Sequence, residues 1–126
     1  MKNYFHILTI LVFSLLITNI SYSQCDYIIN MQDSYGDGWN GASIDVAVNG
    51  TIVSNLTINN GFSNSGNVFT YTNDIVEFTF NSGSWDSEIT FQITDPAGNS
   101  LGSFGTNPTV GLFLTDTSNS TCSPPS

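Results

Sequence analysis

The chain has 126 residues, ten of them Asp or Glu, and only Lys2 and His6 can carry a positive side chain, so every position beyond His6 is neutral or acidic. That balance excludes nucleic acid as a partner, because phosphate contacts need Lys or Arg, and it excludes anionic membrane surfaces. It also removes most enzyme chemistry, since without His, Lys, Arg or a free thiol few nucleophile-base arrangements can be built.

The N-terminal element is an apolar run from Ile7 to Leu16, preceded by Lys2, interrupted by Thr9 and Ser14 and extended by Ile17 and Ile20. This is the core of a signal peptide. Small residues at Ser21 and Ser23 place cleavage before Gln24, so residues 1–23 are the expected signal peptide. The run is short of the roughly 20 apolar residues that span a bilayer. Tyr22 stands where a lipoprotein signal would have Leu before Cys25. The expected product is secreted, extracellular and soluble. Its 126 − 23 = 103 residues suffice for one domain, residues 24–122, followed by a disordered tail at 123–126. All ten carboxylates lie in that product, and no basic side chain can relieve their repulsion. A bound cation is therefore expected.

Cys25 and Cys122 stand near the two ends of the mature chain, in an export context that permits oxidation. They are expected to pair, closing a loop of 122 − 25 + 1 = 98 residues. Loop-closure entropy makes such a bond worth roughly 4 to 5 kcal/mol at most.

Between the cysteines no segment has helical periodicity, and β-branched and aromatic residues come in short runs separated by Gly, Asn, Asp and Ser. The runs predict strands at 26–32, 42–49, 51–58, 67–72, 75–81, 88–94, 100–104 and 110–115. Eight strands imply an all-β fold, an antiparallel β-sandwich of the jelly-roll kind. The second strand alternates most clearly, with Ile44, Val46 and Val48 on the face expected in the core. Phe69, Phe78, Phe80, Phe91 and Phe113 are assigned to the core as well. Asn49-Gly50 and Asn73-Asp74 supply tight turns, and residues 95–99 supply another.

If consecutive strands run antiparallel, their connections alternate between the two ends of the sandwich. One end then holds the short turns at 49–50, 73–74 and 95–99, together with both cysteines. The other holds residues 33–41, 59–66, 82–87 and 106–108, which are longer and rich in Gly, Asn and Trp. Function is expected at that second end.

The most informative loop there is Asp33-Ser34-Tyr35-Gly36-Asp37-Gly38-Trp39-Asn40-Gly41, which joins hard oxygen ligands to glycines. Calcium takes six to eight oxygens, and glycines let a short loop fold around it. Asp33, Asp37 and Asn40 are the candidate side-chain ligands. The alternative is a Gly-rich turn whose Asp side chains cap local amides. Asp86 and Glu88 belong to the same end. Two residues apart on a regular strand, they would share a face and complete the site. Tyr35, Trp39 and Trp85 would form a ligand-binding platform if exposed, or anchor the loops if folded inward. Phe62 and Phe104 share that ambiguity. Asp26, Asp45, Glu77 and Asp116 read as solvated surface.

The loop at 33–41 followed by a strand, the later Trp85-Asp86-Ser87-Glu88 and the turn Asp95-Pro96-Ala97-Gly98-Asn99 resemble a secreted domain with a GDGWNG motif, common in extracellular proteins of Bacteroidota. The resemblance spans most of the mature chain. It implies a compact β-sandwich, often an accessory module on secreted proteases or adhesins. The acidic loops are also similar, more distantly, to the calcium site of CUB domains, though the basic and multi-cysteine features of those domains are missing.

The expected function is thus a secreted, calcium-binding β-sandwich module that contacts an extracellular glycan or protein. The alternative is a structural subunit of an extracellular matrix or assembly in which calcium only stabilises. An enzyme is not expected. Two carboxylates can hydrolyse a glycosidic bond, but here they cluster in glycine loops as metal ligands would.

Overall fold

The computed structural model describes residues 24–126, so the expected signal peptide lies outside the described residues. The strands are β1 (Asp26–Asp33), β2 (Ser43–Val48), β3 (Thr51–Leu56), β4 (Ser63–Phe69), β5 (Ile75–Asn81), β6 (Ile89–Thr94), β7 (Ser100–Gly105) and β8 (Gly111–Thr117), with a 3-10 turn at Asp86–Glu88 before β6. They form two four-stranded sheets, ordered β4-β1-β6-β7 and β3-β2-β5-β8. Every pairing is antiparallel. The all-β sandwich expected from the strand pattern is the architecture that forms.

The core comes from the two central strands of each sheet, whose period-2 alternation sends every second side chain inward. In β1 these are Tyr27, Ile29, Met31 and, at the strand end, Asp33. The others are Ile44 and Val46 of β2, Val76, Phe78 and Phe80 of β5, and Ile89, Phe91 and Ile93 of β6. Phe91 lies near-parallel to Phe80 and to Phe104, with ring centroids 6.3 and 5.1 Å apart. Phe80 and Phe91, fully buried, each contribute about 1.5–3 kcal/mol. Val48, Phe104 and Phe113 pack against this cluster partly buried.

Two core and strand expectations need correction. The fourth strand starts at Ser63 rather than at 67 and ends at Phe69. Its first residues, Ser63-Asn64-Ser65-Gly66-Asn67, carry no apolar alternation, because an edge strand is held by its backbone ladder to β1. Phe69, assigned to the core, is 53 % exposed. Val68, opposite Tyr27, takes the inward position, so its neighbour must face outward, where it meets Tyr71 edge to face at 5.1 Å.

Because each pairing joins an odd-numbered to an even-numbered strand, the connections alternate between the ends as expected. At one end Thr70 donates its N–H to Cys25 O, Thr72 to Cys122 O and Asn73 to Ser118 O. Cys25 and Cys122 are disulfide-bonded there, their Cα atoms 5.6 Å apart. Ser118 and Ser120 are buried, which carries the ordered packing close to Cys122, and residues 123–126 are exposed without regular structure. At the opposite end lie the four longer connections.

Candidate metal centre

The site begins with the alternation of β1. Asp33 occupies the last inward position of that strand, and only 2 % of the residue is exposed. The loop that follows wraps around one of its oxygens. Asp33 Oδ2 accepts hydrogen bonds from the backbone N–H groups of Gly36, Asp37 and Gly38, at 2.7, 2.9 and 3.0 Å. The local capping read as an alternative to metal binding therefore exists, but it uses one oxygen of the carboxylate and leaves Oδ1 over.

Two glycines make the wrap possible. Gly36 and Gly38 have φ of +90° and +88°, a region that L side chains rarely adopt. A Cβ on Gly36 would sit 2.4 Å from the Phe62 ring, and one on Gly38 would sit 2.5 Å from Ile58 O. The loop is thus pressed onto the β3–β4 connection, where Asp33 donates its N–H to Phe62 O and Trp39 to Ile58 O, both at 2.8 Å. Trp39 then closes the loop from beneath. It is 1 % exposed, donates Nε1–H to Gln32 O at 3.0 Å and packs on Phe80 and Phe91. Of the three residues offered as a binding platform, Trp39 is therefore withdrawn: it is an anchor. Tyr35 and Trp85 remain exposed, at 72 % and 56 %.

The second contributor arrives through sheet register. Asp33 pairs with Ile89 across the β1–β6 ladder, and Ser34 donates its N–H to Glu88 O at 3.0 Å. Glu88 is thereby set beside Asp33, although 55 positions separate them in the chain. Asp86 does not join them. Residues 86–88 form a 3-10 turn rather than a strand. At three residues per turn, positions two apart diverge. Asp86 is spent on its own connection, with Oδ1 accepting from Gly83 N–H at 2.8 Å, Oδ2 from the Ser82 hydroxyl at 2.6 Å and its carbonyl from Asn107 N–H at 3.0 Å. Its role is to shape the loop that presents Glu88 and Trp85.

Asp33, Asp37 and Glu88 each bring a carboxylate oxygen within 4.8 Å of the others. Asn40, in the left-handed region at φ 51°, donates Nδ2–H to Asp37 Oδ2 at 3.1 Å and accepts Ser84 N–H on its carbonyl, joining the two loops. Three side-chain oxygens here are buried without any hydrogen-bond partner: Asp33 Oδ1, Asn40 Oδ1 and Glu88 Oε2. All three are acceptors, and for Asp33, the most deeply buried of them, leaving an oxygen unsatisfied costs about 1–3 kcal/mol, more when it is charged. Burial, followed by the negative charges of Asp33 and Asp37, pushes the Glu88 carboxyl above its ordinary range. Oxygens sharing one calcium ion at 2.3–2.6 Å are at most about 4.6–5.2 Å apart. The spacing of the cluster fits that limit.

On the solvent side, Tyr35, Asp37, Trp85 and Glu88 line a cavity of about 300 Å³. A larger hollow of about 460 Å³ lies between the edges of β3 and β4 toward the disulfide end, lined by Val53, Phe69, Tyr71 and Asp74 among others. Its acid is already engaged, since Asp74 accepts from Tyr71 N–H and from Asn49 Nδ2. Phe62, read from the sequence as either platform or anchor, lies against Gly36 yet stays 65 % exposed, and Ile58 behind Gly38 was not singled out. The signal for them was the parity that placed residues 59–66 at this end. Compared with family models, with curated proteins and with solved structures, the chain finds no match in any of the three.

Proposed function

We propose that the mature chain is a secreted calcium-binding module whose ion orders the loop end for contact with an extracellular partner. The observation that carries this reading is the set of buried, unpartnered oxygens on Asp33, Asn40 and Glu88, in a chain with no basic residue beyond His6 to satisfy them. We assign that role to a cation from solution, since a proton held by Glu88 would serve only the Asp33–Glu88 pair and leave Asn40 Oδ1 unpartnered. The all-oxygen donor set suits calcium or magnesium, whereas zinc sites draw on His and Cys. Calcium is favoured because magnesium keeps several waters and demands near-octahedral geometry. Asp33, Asp37 and Glu88 are the assigned ligands, with Asn40 Oδ1 as the fourth side-chain oxygen. The exposed Tyr35 and Trp85 beside them favour a binding role over a purely stabilising one.

Thermal unfolding in EGTA, in calcium and in magnesium tests the reading. At a calcium concentration of 100 times Kd the linkage is worth about 2.7 kcal/mol, which raises Tm by roughly 10–20 °C for a domain of this size. Magnesium should do markedly less. An identical Tm in EGTA and in millimolar calcium would overturn the proposal.

A further inference from the structure

Resting on the calcium reading above, we infer that the ligand of this end is a neutral sugar residue, bound by a pair of adjacent hydroxyls to the ion and by a ring face to Trp85 and Tyr35. Three observations lead there. The first is the lining of the cavity, which is formed by two carboxylates of the cluster, Asp37 and Glu88, and by the two exposed aromatic side chains. An ion between Asp37 and Glu88 borders that cavity, and a ligand coordinating it from this side passes beside the indole or the phenol. At about 300 Å³ the cavity lies at the lower end of the range for small ligands, about 300–1,000 Å³. That suits one ring rather than an extended peptide.

The second is the coordination count. Asp33 can give one oxygen, because Oδ2 is held by three backbone N–H groups. Asp37, Asn40 and Glu88 bring the side-chain donors to four, against the six to eight that calcium takes. The remaining positions are open to backbone carbonyls, water or oxygens from outside, and vicinal hydroxyls can supply two at adjacent positions. The third is charge. Three carboxylates around a divalent cation leave a net negative site, and beyond His6 the chain has no basic residue to meet an anion. Acidic and sulfated sugars, phosphates and free carboxylates are therefore disfavoured, while a neutral sugar loses nothing. Its C–H face carries the partial positive charge that the electron-rich face of an aromatic ring attracts. A cationic side chain is the competing occupant, and it would have to take the place of the ion.

The exported, processed chain is titrated with methyl α-D-mannopyranoside, methyl α-L-fucopyranoside and methyl β-D-galactopyranoside, followed by tryptophan fluorescence, in calcium and in EGTA. Calcium-dependent Tm is measured in parallel. Trp39 is buried, so Trp85 is the reporter. The inference predicts a saturable change with at least one glycoside that vanishes in EGTA. Trp85→Ala should weaken that binding roughly tenfold, read by competition, while keeping the calcium-induced rise in Tm. A normal calcium response without binding of any of the three glycosides overturns the sugar inference and leaves the ion site standing. Absence of the calcium response itself overturns the reading beneath it. Binding of a pentalysine peptide in EGTA, displaced by calcium, also overturns the sugar inference in favour of a cationic partner.

Discussion

Asp33 does two things at once, and the division is atomic: Oδ2 folds the loop through three N–H donors, and Oδ1 is left buried and unpaired. The sequence could nominate Asp33 and Asp37 from their glycine-rich setting, but not this division, which depends on where β1 stops. Glu88 carries the clearest consequence. Its raised carboxyl pKa means that the folded metal-free protein holds the proton more tightly than the unfolded chain does. Metal-free stability therefore falls as pH rises from the ordinary Glu range through the raised value, and the penalty is complete above it. Glu88→Gln removes the charge and gives Asp33 a possible donor. In EGTA its Tm should exceed that of wild type by a margin that widens across that pH window and then levels, and its calcium response should be lost. A wild-type Tm at every pH would contradict this. Gly38→Ala adds a Cβ 2.5 Å from Ile58 O at φ +88°. The strained backbone alone costs about 1–3 kcal/mol, measurable as a lower urea midpoint together with weaker calcium binding.

At the scale of elements, the site is made by register. Opposing Asp33 to Ile89 brings Glu88 to the loop, and this pairing joins segments far apart in sequence. Strand existence was legible from β-branched and aromatic runs, most clearly for β2 and β5. Polar β4 was read only at its C-terminal part, since a ladder of backbone bonds leaves little mark on composition. Asp86 shows the same limit at the site: a two-residue spacing means a shared face on a strand and divergence in a 3-10 turn, and side-chain identities do not distinguish the two. Asp116, read as solvated surface, accepts the hydroxyl of fully buried Tyr27 at 2.6 Å, tying β1 to β8 across the sandwich. Tyr27→Phe should cost about 1.5–3 kcal/mol, the range for a hydrogen bond to a charged group, in chemical denaturation and leave calcium affinity unchanged, since this bond lies toward the disulfide end.

For the molecule as a whole, alternation of antiparallel strands by itself sorts the connections into a plain end and an acidic end. The pairing of Cys25 with Cys122, also legible from the expected export and from position, pins the plain end. It closes nearly the whole domain into one loop, so replacing both cysteines with Ser should cost up to roughly 4–5 kcal/mol. Denaturation of that variant in calcium should show the deficit with the calcium response retained, because the two ends are separate. What composition could not show was which acids converge. Seven of the ten carboxylates lie outside the three-member cluster, and several of them are held by Asn side chains or backbone N–H groups, as Asp45, Asp74 and Asp95 are. Net charge predicted a cation, and folding decides where it can sit.

The most direct test is isothermal titration of calcium into EGTA-stripped protein, run beside Asp37→Asn and Asp86→Asn. Wild type should bind close to one ion per chain with saturable heat. Asp37→Asn should lose that binding, whereas Asp86→Asn, which alters a loop cap rather than a ligand, should retain saturable binding. No saturable heat in wild type, or loss in Asp86→Asn with retention in Asp37→Asn, would contradict the assignment of Asp33, Asp37 and Glu88 as the ion site.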